Sequence, residues 1–323
     1  MVQLNTTDSL EWNRKRFFDG FTRLFTGNIF SNIKMQPKAV VGNLLNQHQN
    51  HFNQLYRKVL LKGNDFFFAH NRFFNQGFRT PSIRAITFDM DGTLTVPKID
   101  FLKMRQETGI PAPKDVLDVI HAITDEKEKQ RLFDIIDSVE EEANEKLEFQ
   151  PHLFELFDSL LSMKDRALNG SAIERTEEEI EEVAALTHHF AVVTRNSQRS
   201  LQFFLEKLGP KYADFFSLLL SRDFRPYKPN PDCLFHIAKE LGLESPQNMI
   251  MVGDSYHDIS CGKKASAFTC LYSQENDWRE VHTKCVEEYE PDFICHNLSH
   301  LVDVVHFLHA PNSYPTVGAD FQQ

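Results

Sequence analysis

Three short, largely apolar runs, each closing on polar residues and separated by helical periodicity, constrain this chain most. Ala85–Phe88 stops at Asp89, followed by Met90-Asp91-Gly92-Thr93. Phe190–Val193 stops at Thr194-Arg195-Asn196, and Asn248–Val252 at Gly253-Asp254-Ser255-Tyr256-His257-Asp258. Runs of this length bounded by turn residues read as buried strands. Between them, Ser197 can cap a helix running towards Leu208 and Gly209. Asn230 can cap another that has Pro231 in its first turn and ends near Leu241-Gly242. Ser217–Leu220, Phe268–Tyr272 and Asp292–Cys295 bring the strands to six, and Leu298–Leu308 closes the pattern as a helix. Strands alternating with helices imply a mostly parallel sheet covered on both faces. The carboxyl ends of such strands share one edge, where ligands bind. The three polar clusters therefore meet there, within reach of the rigid loop Pro226-Tyr-Lys-Pro-Asn-Pro231.

Gly92 permits a tight turn after the first strand, and Thr93 adds a hydroxyl and an amide. Asp-x-Asp-Gly also opens calcium loops, but those need glycine at the sixth position and Glu at the twelfth. Counted from Asp89, these places hold Leu94 and Asp100. Carboxylates converging with little apolar cover repel one another unless a cation intervenes. Oxygen-only ligands suit a hard metal, Mg²⁺ where a phosphate completes the shell. A carboxylate attacking a phosphate dianion meets roughly 4 kcal/mol of repulsion per charge pair at 4 Å and effective permittivity 20. A divalent ion and Lys228 would offset it. Asp89, fixed at the strand end, suits a nucleophile that forms an acyl-phosphate. Asp91, on the turn, suits the general acid and base. Thr194 and nearby amides can hold phosphoryl oxygens.

The set Asp89-x-Asp91-Gly92-Thr93, Thr194, Lys228-Pro229 and Gly253-Asp254-x-x-x-Asp258 resembles the four ordered motifs of the haloacid dehalogenase-like hydrolase superfamily. The resemblance covers roughly residues 82–310. It implies an α/β Rossmann-like parallel sheet in order 5-4-1-2-3 with a small α-helical cap inserted after the first motif. It implies Asp89, Asp91 and Lys228 as catalytic groups. It places Mg²⁺ on Asp89, the Asp91 backbone carbonyl and Asp254, with Asp258 a supporting carboxylate that orients Lys228 or a metal-bound water. Gly92, Thr93, Thr194, Arg195, Asn196 and Lys228 form the expected phosphate-binding set, although Arg195 and Asn196 can equally cap the following helix. An acid at Asp91 is missing from the dehalogenases and replaced by Thr in the ion-pumping ATPases of the superfamily. The expected activity is a Mg²⁺-dependent phosphatase acting on a small phosphorylated metabolite through an aspartyl-phosphate. A phosphomutase that shelters the same intermediate is the alternative. A non-enzymatic scaffold is a third reading, but its motifs should have decayed, and none has.

The domain boundaries follow from these landmarks. The core takes residues 81–95 and 151–310. Residues 96–150 form the cap, with helical spacing over Phe101–Thr108, Asp115–Ile123 and Lys127–Leu147. Residues 162–187 read as an acidic surface insertion with a capping box at Thr176-Glu-Glu-Glu179, and 311–323 as a tail. Glu140-Glu141-Glu142 reads as a solvated helix face and His257 as an exposed helix-start residue. Residues 1–80 form an extension without strand alternation, whose clusters Phe66-Phe67-Phe68 and Phe73-Phe74 are apolar enough to pack on the next domain or a partner. This extension holds eleven Lys/Arg against four Asp/Glu, although the whole chain has a net charge of −11. The acidic main body argues against a nucleic-acid partner, and no run is apolar enough to span a membrane. Five cysteines without a C-x-x-C pair point to a reduced intracellular compartment. Cytoplasm is the expectation. Mitochondria would follow if the basic start were a presequence, against which Asp8 and Glu11 argue.

Overall fold

The computed structural model describes residues 66–68, 83–169, 189–273 and 288–309, and among these seven strands form one sheet. They are β1 (Phe66–Phe68), β2 (Ala85–Phe88), β3 (His189–Val193), β4 (Leu218–Leu220), β5 (Met249–Gly253), β6 (Phe268–Tyr272) and β7 (Phe293–Cys295). Their spatial order is β1-β7-β6-β5-β2-β3-β4. Every neighbouring pair is parallel except β1 with β7. Counted from β2 as the first core strand, β6-β5-β2-β3-β4 is the expected order 5-4-1-2-3, with β7 added beyond it.

The strands lack polar alternation because both faces of the sheet are covered. Successive side chains still point to opposite faces. Ile86, Phe88, Phe190, Val192, Ile250 and Val252 belong to one apolar cluster, packed against Leu156 and Phe157. Ala85, Ala191, Val193, Met249 and Met251 belong to another, with Cys233, Ile237 and Cys261. The helices that supply this cover are numbered below in chain order.

Between Val96 and Phe149 the chain leaves the sheet for α1 (Phe101–Thr108), α2 (Val116–His121) and α3 (Glu126–Glu145). Asp100, Asp115 and Asp125 each cap one of these helices by accepting a backbone N–H, which satisfies an otherwise orphaned donor. Met104, Leu117, Ile120, Leu132, Ile136 and Val139 give the module its own apolar centre. Its two connecting strands are tied together where they leave the core: Val96 N–H donates to Glu148 O at 2.9 Å, and Gln150 N–H to Leu94 O at 3.0 Å.

The remaining helices are α4 (Leu153–Asn169), α5 (Gln198–Leu208), α6 (Pro210–Ala213), α7 (Asp232–Glu240), α8 (Tyr256–Lys264) and α9 (Leu301–His309). Ser197 caps α5 through the Ser200 N–H. Asn230 Oδ1 accepts from Asp232 N–H at 2.9 Å, at the start of α7.

Two expectations need correction. Phe66–Phe68 lies in the stretch read as strandless, yet forms an antiparallel edge strand on β7. Three identical apolar residues cannot display period-two alternation; the pairing with β7 makes them a strand. Helix α4 also continues past Leu161 to Asn169, into the segment read as an insertion. The capping box at Thr176 lies outside the described residues. No described helix is long and apolar enough to cross a membrane.

Candidate active site

Register brings the motif residues together. Phe88 pairs with Val192 on one side and with Val252 on the other. The chain therefore leaves the sheet at nearly one level in three adjacent strands: at Asp89, at Thr194, and at Asp254 after Gly253. Asp89 N–H extends the ladder to Val252 O at 2.9 Å, and Thr194 N–H to Leu220 O at 2.8 Å. Neighbouring strands lie about 4.8 Å apart, so residues far apart in sequence become neighbours.

Lys228 occupies the centre. Its Nζ donates to Asp89 Oδ1 and to Asp258 Oδ1, both at 2.6 Å, and only 1% of the lysine is exposed. Asp258 is fully buried. Its other oxygen accepts from Ser255 N–H at 3.1 Å and Ser255 Oγ at 2.6 Å. Asp89, Asp254 and Asp258 each offer a carboxylate oxygen, and these oxygens lie within 4.8 Å of one another. Two glycines make this approach possible. Gly92 has φ +89°, and a Cβ there would sit 2.2 Å from Asp254 Oδ2. A Cβ on Gly253 would sit 2.2 Å from the Asp258 Cβ.

One lysine does not balance this much negative charge. Burial, opposed by Lys228, raises Asp89 to about 6. Burial, then the charges of Asp89 and Glu140, raise Asp91 to about 7. Burial and the charges of Asp89, Asp258 and Asp91 push Asp254 well above the usual carboxylate range. Burial pulls the Lys228 value down, but Asp258 and Asp89 outweigh it and the lysine stays charged. An all-oxygen donor set with surplus negative charge suits a hard divalent cation.

The turn after β2 is clamped from outside the motifs. Gly92 N–H donates to Thr95 O at 2.9 Å. The buried Gln150 side chain donates to Gly92 O at 3.0 Å and Thr95 O at 3.1 Å, and accepts from Tyr272 Oη at 3.2 Å. Sequence reasoning missed Gln150, which belongs to no motif and is distinguished only by preceding Pro151. Thr93 Oγ1 is buried with no hydrogen-bond partner among the described residues. Thr194 Oγ1 accepts from Asn196 N–H at 3.1 Å.

Arg195 faces α2. It donates to Asp115 Oδ2 and to His257 Nε2, each at 2.7 Å, and lies over the Tyr227 ring at 5.1 Å. Tyr227 Oη in turn donates to Asp118 Oδ1 at 2.7 Å. An arginine cannot accept, so His257 Nε2 is the acceptor and the imidazole proton sits on Nδ1. Burial and the adjacent guanidinium hold the His257 pKa down to about 4. His257 does lie at a helix start, in the first turn of α8, but it is a half-buried, neutral partner of Arg195, not an exposed residue. The acidic run on α3 also departs from expectation. Glu141 and Glu142 are surface partners of Arg199 and Lys103, whereas Glu140 is 3% exposed and ion-paired with Arg222.

A family model for haloacid dehalogenase-like hydrolases matches residues 83–266. The chain belongs to this family. This haloacid dehalogenase-like hydrolase is 34% identical over 234 residues to a haloacid dehalogenase-like hydrolase domain-containing protein of Arabidopsis thaliana, covering 69% of this chain and 84% of that one. It is 28% identical over 232 residues to a phosphoglycolate phosphatase of Vibrio vulnificus, covering 69% and 96%. The crystal structure of a phosphonoacetaldehyde hydrolase-like protein from Oleispira antarctica has the same fold, with a TM-score of 0.52 at 14% identity over 79% of this chain and 100% of that one. The chain is thus an enzyme of the haloacid dehalogenase-like hydrolase family.

Proposed function

We propose that this hydrolase is a Mg²⁺-dependent phosphoric monoester hydrolase that cleaves a small phosphorylated metabolite through an aspartyl-phosphate on Asp89. The observation that carries this reading is Lys228 Nζ held 2.6 Å from Asp89, with Asp254 and Asp258 beside it and more negative charge than the lysine neutralises. The phosphoglycolate phosphatase relative supports a small phosphorylated substrate.

In this reading Asp89, Asp254 and the Asp91 backbone carbonyl hold Mg²⁺. When bound, the ion supplies positive charge that offsets repulsion between carboxylate and phosphate and keeps Asp89 ionised. Asp258 has one oxygen on Lys228 and the other on Ser255, so its part is to aim the lysine. Lys228 and the 194–196 loop take the phosphoryl oxygens. Thr194 contributes its O–H, because the hydroxyl oxygen already accepts from Asn196.

An Asp89 oxygen attacks phosphorus and the ester P–O bond breaks. Asp91, raised to about 7, passes its proton to the departing alkoxide. It then takes a proton from water, whose oxygen attacks phosphorus; the Asp89–phosphoryl bond breaks and phosphate leaves. The α1–α3 module acts as the cap, linked to the site through Arg195–Asp115 and Tyr227–Asp118.

The test is hydrolysis of an aryl phosphate with and without Mg²⁺. Turnover should require the ion and vanish in Asp89→Asn while circular dichroism stays unchanged. Undiminished turnover in that variant would remove Asp89 from the nucleophile role.

A further inference from the structure

Glu140 stands on α3, and its hydrogen bonds run to Arg222 and to the start of α5. One carboxylate oxygen takes Arg222 Nη1. The other accepts from Ser197 N–H at 3.0 Å and from Ser200 Oγ at 3.0 Å. Arg222 also pairs with Asp137 on α3, and its backbone N–H donates to Asn196 O at 3.0 Å. Both members of the pair are buried, Glu140 at 3% and Arg222 at 6% exposure.

The segment Thr194–Ser197 is therefore gripped at each residue that bonds. Thr194 N–H is held by β4, Asn196 N–H by the Thr194 hydroxyl, Asn196 O by Arg222, and Ser197 N–H by Glu140. Helix α5 begins here, so a carboxylate from the cap occupies an acceptor place at its first turn, where donors are otherwise orphaned. Burying an ion pair seldom gains stability over well-packed apolar groups. What this pair does provide is a defined path for the backbone between Thr194 and Ser197.

We propose that Glu140 and Arg222 are positioning residues for the phosphate-binding loop: the cap helix α3 holds residues 194–197 in the shape that receives the phosphoryl group. The inference rests on the phosphatase reading above and adds to it a residue pair outside the four motifs. Loss of the pair frees Ser197 N–H and unties the Arg222 side chain from Glu140, so that Arg222, whose backbone N–H holds Asn196 O, shifts and takes the Thr194 hydroxyl, whose acceptor side is fixed by Asn196 N–H, out of line.

Three proteins test it: wild type, Glu140→Gln, and Glu140→Leu/Arg222→Leu, in which apolar groups replace the whole pair. Each is assayed for aryl phosphate hydrolysis with Mg²⁺, for competitive inhibition by inorganic phosphate, and for unfolding in urea. In Glu140→Gln, KM and the inhibition constant of phosphate should rise roughly tenfold or more, as for a lost hydrogen bond to a charged group, with a smaller change in kcat. The double variant should regain stability but keep the weakened phosphate binding. A double variant that binds phosphate like wild type would make the pair purely structural and overturn the inference. A wild-type protein inert towards aryl phosphate would bring down the phosphatase reading itself, and the inference with it; activity in wild type separates the two failures.

Discussion

Among the described residues, the sheet edge and the seam between α3 and α5 both bury carboxylates, and they differ in whether the charge is balanced. At the sheet edge, Asp89, Asp254 and Asp258 gather beside a single lysine, and the raised values of Asp89 and Asp254 register the surplus. At the cap seam, Glu140 is answered by Arg222, Ser197 N–H and Ser200 Oγ, leaving no oxygen unsatisfied. A satisfied buried charge acts on its neighbours' positions, whereas an unsatisfied one is a site waiting for a cation or for chemistry. The same residue chemistry thus serves two ends, and the count of partners separates them.

The most severe way to strain the comparison is to unbalance the edge further. Lys228→Met should abolish turnover and cost on the order of 3–5 kcal/mol in urea unfolding, because it leaves buried carboxylates without a partner. A variant as stable as wild type would mean the edge carries no surplus. Adding the missing charge should work in the other direction. Mg²⁺ at a hundred times its dissociation constant should stabilise the protein by about 2.7 kcal/mol. Asp254→Asn should lose most of that gain, and Glu140→Gln should keep it. Equal gains in both variants would erase the distinction between the two places.

Protons give a gentler probe. Asp89 and Asp91 have folded values of about 6 and about 7 against an ordinary 3.8. A raised acid keeps in the folded state a proton that the unfolded chain has released. The associated stability is therefore full below about pH 4 and is lost as the pH climbs through 6 and 7. In the presence of a chelator, the melting temperature should fall over that window, and Asp91→Asn should flatten the upper part of the fall. A melting temperature that rises across it would contradict the surplus. Smallest of all is the half-buried bridge between Arg195 and α2. Arg195 and Asp115 are 19% and 26% exposed, so Arg195→Met should cost no more than about 1 kcal/mol, and less at high salt. A larger, salt-insensitive loss would place Arg195 with the buried seam.

Much of the edge was legible in the chain because its chemistry is local to strand ends. Asp89, Thr194 and Asp254 each follow an apolar run, and Lys228 sits in a proline-bracketed loop, so a parallel sheet had to gather them. The seam was illegible for a physical reason. Glu140, Glu141 and Glu142 are identical in type and adjacent on one helix, and successive positions point about 100° apart. Only the packing of α3 against α5 decides that Glu140 faces inward while its neighbours meet Arg199 and Lys103 at the surface. Gln150 was hidden likewise, since a lone glutamine acquires meaning only when Gly92 and Thr95 arrive beside it.

By itself, then, the sequence determined which polar groups gather at the sheet edge, the alternation of strand and helix, and the parallel sense of the core sheet, because periodicity and turn residues act over a few positions. Tertiary structure alone decided which charges are balanced, that Phe66–Phe68 becomes an edge strand on β7, and that His257 is a neutral partner of Arg195. Those outcomes depend on burial and on partners brought from dozens of residues away, and the energy of a charge depends on both.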